Sequence, residues 1–399
     1  MFIKLEIPLR YIAICSASSS SSFQCQTMLW FSLLLLSFQI RSSLCALPLR
    51  DQNPTVFDLQ SHRGGRGETV ESTLPSFAWG LIHGAKTLEL DNGITKDGTV
   101  IVWHDENIVA EKCLDTAPAF EGDWDYPYVG KYIANLTLAQ LKTLDCGSQR
   151  LDGFPQQLTY PGTKLSTLEE LFDFVDCVDT EHRMLFNIES KIDADYPNRT
   201  RSVDDFVEYQ YAAFAKSPYL YSITYQSFDW RTLIGMKSKN SAITTAALIS
   251  SGTAVGADNN ASAWLAGLNL DSFRGATQGE RVARAADAID ADILSPSDVS
   301  DNSPVEDPNK DGFIYFTTEE MISTSHSLGR EVKPWTVNRL NIAQQLLMWG
   351  ADGLITDYTS AMRRFLDQQR YEVLPGFPED KVLQCLAQHI QITAENSCL

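Results

Sequence analysis

The chain has 399 residues, 44% hydrophobic and 21% charged, a globular composition with room for one large domain or two small ones. A formal net charge of −19, with no cluster of Lys or Arg, excludes the basic face of a nucleic-acid binder.

The first element is a targeting segment. Leu29 to Ile40 is an apolar run, shorter than the roughly 20 residues that span a bilayer and right for the core of a signal peptide. Small residues near Cys45 and Ala46 suit cleavage there. Met28 stands one residue before the run, so a start at Met28 gives a signal peptide over about Met28–Ala46 and leaves 1–27 as an upstream extension. The expected product is secreted, with no stable membrane insertion. Asn135, Asn198 and Asn260 each open an Asn-x-Ser/Thr sequon, which in a eukaryotic host makes them expected glycosylation sites. Beyond the cleavage site come Cys113, Cys146, Cys177, Cys385 and Cys398, an odd count. The expected pairs are Cys113–Cys146 and Cys385–Cys398, with Cys177 buried on a helix. A metal site built on these cysteines is disfavoured, because no CxxC spacing occurs.

From residue 47 to 370 short apolar runs alternate with helical patterns. Strands are expected over Val56–Ser61, Thr87–Asp91 with its hairpin partner Val100–Trp103, Met184–Ile188, Ser222–Tyr225, Ile243–Leu248, Asp292–Leu294, Val332–Thr336 and Gly353–Thr356. Between them lie helical stretches such as STLPSFAWGLIHG, stopped by Gly84, and STLEELFDFVDCV, which opens with a Ser/Thr-x-x-Glu capping box. Counting the hairpin once, eight strands each return through helix, the pattern of a parallel TIM (β/α)8 barrel. An open doubly wound sheet would want GxGxxG after the first strand, and HRGGRGETVE does not supply it. Residues 106–164, rich in Asp, Tyr, Pro and Gly, form an insertion after the second strand, expected to cap the barrel mouth. Residues 371–399 form a C-terminal tail. Oligomeric state is open.

Barrel strands converge at their C-terminal ends, and the chemistry-bearing residues fall there. The first strand ends in His62-Arg63. The second carries Glu89 and Asp91, two apart and so on one face, and its hairpin partner ends in His104. The third ends in Glu189 and Lys191. Three converging carboxylates repel one another unless a cation sits among them; an all-oxygen set favours one divalent ion, Mg2+ or Ca2+. Two histidines suit proton transfer, and Arg63 and Lys191 suit an anionic group such as phosphate. Together they point to metal-assisted phosphodiester cleavage. Gln226 and Asp357, also at strand ends, are expected to stabilise loops. Asp307 to Gly312 begins like a calcium loop, but its twelfth position is Thr318 rather than Glu, so it is expected to be an acidic surface loop.

The opening HRGGRGETVEST…GAKTLELDNGITKDGTVIVWHDENI, followed in order by LTLAQLKTLD, LSTLEELFDFV, FNIESK, YQSFDWRTL, ADILSP, VKPWTVN and GADGLITDY, resembles the glycerophosphodiester phosphodiesterase family from about His62 to Tyr358. The resemblance implies a TIM barrel that hydrolyses a small-molecule glycerophosphodiester to glycerol 3-phosphate and an alcohol. It implies His62 and His104 as the acid/base pair and Glu89, Asp91 and Glu189 as metal ligands. It further implies Arg63 and Lys191 as phosphate contacts, Glu71 near metal and substrate, and Trp335 as an aromatic wall of the pocket. Val70 and Ser72 depart from the family pattern around Glu71, and Asn92-Gly93 departs from it after Asp91, which is expected to loosen the hairpin. The rival readings are a sphingomyelinase D-like lyase forming a cyclic phosphate, a non-catalytic secreted binding protein, and a sugar hydrolase. The last explains neither the histidines nor the two cations.

Overall fold

The structure is a computed structural model that describes residues 56–256 and 260–396, with side chains through 390. The expected signal segment and Cys398 lie outside the described residues. In chain order the strands are β1 (Asp58–Ser61), β2 (Thr87–Ile94), β3 (Val100–Val102), β4 (Leu185–Ser190), β5 (Ile223–Ser227), β6 (Thr244–Ile249), β7 (Ile293–Pro296), β8 (Glu331–Val332) and β9 (Gly353–Thr356). The helices are α1 (Leu74–Ile82), α2 (Leu138–Leu141), α3 (Leu168–Val178), α4 (Val203–Lys216), α5 (Trp230–Lys239), α6 (Gln278–Ala288), α7 (Glu319–Ser327), α8 (Leu340–Met348), α9 (Thr359–Gln368) and α10 (Glu379–Asn396).

The sheet runs β8-β7-β6-β5-β4-β2-β1-β9, all parallel, with β3 antiparallel on β2. It is a nearly closed eight-stranded TIM barrel. The seam between β8 and β9 carries no ladder. It is bridged by Asp352 N–H donating to Val332 O (2.9 Å), Ile355 N–H to Pro334 O (3.0 Å) and Val337 N–H to Ile355 O (2.8 Å). β8 takes in only Val332 of the expected strand Val332–Thr336, although Lys333 and Trp335 N–H still donate to Leu294 O and Pro296 O of β7 (3.0 Å each); Pro334, on the side of β9, has no N–H to give.

Local chemistry explains where the helices start. Thr73, Thr167, Ser202 and Thr277 cap α1, α3, α4 and α6 in reciprocal capping boxes, including the one read at Thr167–Glu170. Leu59, Leu88, Leu90, Phe186, Ile188, Leu294 and Leu354 join the helices' Phe77, Leu171, Phe174, Phe206 and Leu346 in one continuous apolar layer between sheet and helices. Residues 106–164 have their own small core, in which Ile108, Tyr128, Ile133, Leu141 and Leu144 pack with Ile101 and Trp103 of the hairpin. Cys113–Cys146 closes this cap, as expected.

Two expectations fail. Cys385 pairs with Cys177, not Cys398. Cys385 lies within α10, where the eleven helical residues to Asn396 carry the chain about 16 Å away. The same helix packs along α3, which brings Cys177, half-buried, to its side. Nor does Asn92-Gly93 loosen the hairpin. Both residues are laddered to β3, Asn92 Oδ1 accepts from Gln210 Nε2 (3.1 Å), and Ile133 of the cap packs where a Gly93 side chain would stand.

Candidate active site

The turn after β1 aims two functional groups at once. Arg63 has φ 52° and Gly64 φ 83°, and a Cβ on Gly64 would lie 2.4 Å from Ser76 Oγ. Glycine therefore lets the turn close against α1. With the turn closed, Arg63 N–H donates to Glu89 Oε2 (3.0 Å), and both His62 and Arg63 are buried in the mouth.

Strand alternation puts Glu89 and Asp91 on one face of β2, and register sets Asp91 beside Glu189 on β4 and Glu189 beside Gln226 on β5. Glu89, Asp91 and Glu189 each offer an oxygen within 4.8 Å of the others. Burial, with Asp91 and Glu189 alongside, pushes Glu89 well above the carboxylate range. Burial also lifts Glu189 to about 7, although Lys191 Nζ lies 2.9 Å from its Oε1. Asp91 ionises against its burial because Arg63, His104 and Lys191 face it. Both oxygens of Asp91 are buried without a hydrogen bond, even though Arg63 Nε stands 3.2 Å from one. A divalent cation would fill those lone pairs and relieve the repulsion, so these three residues fit one.

The histidines flank this cluster. His62 Nδ1 donates to Asp357 Oδ1 (2.5 Å), and its Nε2 is 3.9 Å from Glu89 Oε2. Burial lowers the His62 pKa, and Asp357 works against that effect. His104 Nδ1 donates to Asp105 Oδ1 (3.0 Å) and its Nε2 accepts from Lys191 Nζ (3.2 Å). Burial, then Arg63 and Lys191, hold His104 well below its usual value. In this charge state both rings present Nε2 as an acceptor.

Every residue read from the sequence as part of the site lies at the C-terminal mouth. Glu71 is taken up by cations: Arg63 Nη1 (3.0 Å) and Lys112 Nζ (2.7 Å) bind its Oε1, and Arg66 lies near. Burial would raise its pKa, but these cations win and hold it at about 2. Trp335 stands against Phe228, ring centroids 5.2 Å apart, with its Nε1–H on Ser295 O.

Sequence reasoning missed the part played by three contributors. Asp357 holds His62 as well as the loop residue Asn338, whose Nδ2 donates to it (2.7 Å), and Arg66 lies against it. Gln226 Nε2 donates to Glu89 Oε1 (2.6 Å), oriented by Asn187. Lys112 reaches in from the cap to Glu71 and Asp105. A strand-end position signals Asp357 and Gln226; nothing local signals Lys112. The stretch from Asp307 is no ligand cage, since Asp307 is bound by Asn309, Arg339 and Asn341.

The sequence profile of the glycerophosphoryl diester phosphodiesterase family matches residues 62–361. A glycerophosphodiester phosphodiesterase of Bacillus subtilis is 33% identical over 144 residues, covering 36% of this chain and 44% of its own length. The human lysophospholipase D GDPD1 is 52% identical over 48 residues, 12% of this chain and 15% of its own. The chain thus matches less than half the length of these relatives. A glycerophosphoryl diester phosphodiesterase structure from Silicibacter pomeroyi superposes with TM-score 0.63 at 23% identity, covering 80% of this chain and 96% of its own. A phosphodiesterase from Oleispira antarctica, solved with the product sn-glycerol-3-phosphate, gives TM-score 0.54 at 19% identity, covering 78% and 97%. At these identities the two structures speak for the fold.

Proposed function

The chain belongs to the glycerophosphoryl diester phosphodiesterase family, and from that premise we propose that it is a metal-dependent phosphodiesterase releasing glycerol 3-phosphate and an alcohol from small glycerophosphodiesters. The observation that carries this reading is the trio Glu89, Asp91 and Glu189, within 4.8 Å of one another, flanked by His62 and His104.

Glu89, Asp91 and Glu189 would hold the cation, Mg2+ or Ca2+, which as a Lewis acid polarises the phosphoryl group. Arg63 and Lys191 bind the remaining phosphate charge. His62 takes the proton of the attacking water at Nε2, because Asp357 fixes its tautomer and stabilises the imidazolium that forms. His104 serves the leaving alcohol. Substrate phosphate neutralises Arg63 and Lys191, which removes part of what keeps His104 unprotonated. Glu71 and Lys112 hold Arg63 in place from the cap side.

We further propose that the protein is a secreted glycoprotein. The apolar run at Leu29–Ile40 supports this, as do two disulfides among the described residues and the exposure of Asn135, Asn198 and Asn260.

The deciding experiment is glycerol 3-phosphate release from glycerophosphocholine with Mg2+, with Ca2+ and with chelator, for wild type and His104→Ala. Metal-dependent release that the substitution abolishes is expected. A cyclic phosphate formed from lysophosphatidylcholine, with no glycerol 3-phosphate, would replace this reading with the lyase. Silence on every diester would leave a binding protein.

A further inference from the structure

One carboxylate in the mouth has no part in the chemistry above. Asp298 follows β7 and is 9% exposed. The next residue, Val299, pairs with Tyr315 and packs into the outer apolar layer, so Asp298 is turned the other way, toward the mouth. Asp357 is close enough there to repel it. Its Oδ1 accepts the N–H of Val299 (2.8 Å), and backbone N–H groups are its hydrogen-bond donors; among the described residues no ion pair to a cationic side chain is seen. Burial and Asp357 lift its pKa to about 7.

Its neighbours are aromatic. Asp298 N–H donates to Trp335 O (2.6 Å), Trp335 meets Phe228 edge-on at 5.2 Å, and Phe228 meets Trp264 at 6.4 Å. The row begins at the phosphate contact, since Lys191 Nζ is 5.7 Å from the Phe228 ring centroid. A diester with its phosphate on Arg63 and Lys191 can therefore lay one arm over Phe228 and Trp335 and end at Asp298. Aromatic faces with an unpaired carboxylate recognise an organic cation.

Resting on the function proposed above, we propose that Asp298, with Trp335 and Phe228, forms a subsite for a positively charged alcohol. The preferred diesters then carry a quaternary or primary ammonium group, such as choline or ethanolamine, rather than an uncharged polyol. Such a group gives the buried carboxylate the counterion that the fold withholds.

The test compares kcat/KM for glycerophosphocholine and glycerophosphoinositol in wild type and Asp298→Asn. The variant is expected to cut the preference for the choline diester roughly tenfold, through KM rather than kcat. An equal loss on both diesters, or an unchanged ratio, overturns the proposal and leaves Asp298 a structural residue. If wild type turns over neither diester, it is the phosphodiesterase reading that fails. Calorimetric titration with choline then decides the subsite alone: weaker binding to Asp298→Asn supports it, and equal binding sinks it.

Discussion

Asp357 shows how much of a catalytic group lies outside its own segment. His62, Glu89 and Asp91 were legible from strand alternation and from their place at strand ends. The partner that fixes the His62 tautomer stands 295 positions away, and only closure of the barrel brings it there. Asp357→Asn is expected to lower kcat by about 10²–10⁴-fold with KM nearly unchanged, because the ring stays but loses its orienting acceptor. Steady-state kinetics on any accepted diester checks this; a change confined to KM would refute the dyad. Asp298 makes a prediction of opposite sign for stability. Its folded pKa, about 7, lies above the ordinary 3.8. Stability is therefore full below that ordinary value and falls as pH rises through about 7. Asp298→Asn removes the penalty, on the order of 4 kcal/mol at full ionisation. The variant's thermal midpoint should exceed wild type's more at pH 8 than at pH 4; an equal difference at both would contradict it.

At the scale of elements, the helices and strands announced themselves through capping boxes and period-two apolar runs, and the cap through its composition and paired cysteines. Cys177–Cys385 did not. Residues 208 positions apart pair only because α10 folds back along α3. Nor did the apolar pattern around Pro334 show that β8 would lack a ladder to β9, the side on which Pro334 has no N–H to give. Replacing Cys177 and Cys385 together by Ser is expected to lower stability by about 2–5 kcal/mol while leaving kcat at 25 °C in place, since neither helix contributes to the mouth. Chemical denaturation beside an activity assay separates the two effects. Thr167→Ala should cost about 1 kcal/mol, because α3 loses its reciprocal cap.

For the whole molecule, the acidic trio couples ligand binding to folding. A cation that binds only the folded barrel stabilises it by mass action, about 2.7 kcal/mol at a hundredfold excess over Kd. Mg2+ or Ca2+ should therefore raise the thermal midpoint, chelator should reverse the rise, and Glu189→Gln should shrink it. A midpoint indifferent to metal in wild type would remove the cation from the trio. Identity of the ion was never legible: an all-oxygen set of three carboxylates suits either, and size selectivity depends on ligands beyond these three.

The Cys177–Cys385 cross-link also makes a closed covalent loop out of more than half of the described chain, and the exposed stretch around Lys310 hangs on that loop. A single tryptic nick after Lys310 cannot separate the two pieces it creates. Nicked protein should migrate as one band without reductant and as two with it. Until the sulfurs are reduced, the barrel can be cut and still hold its strands.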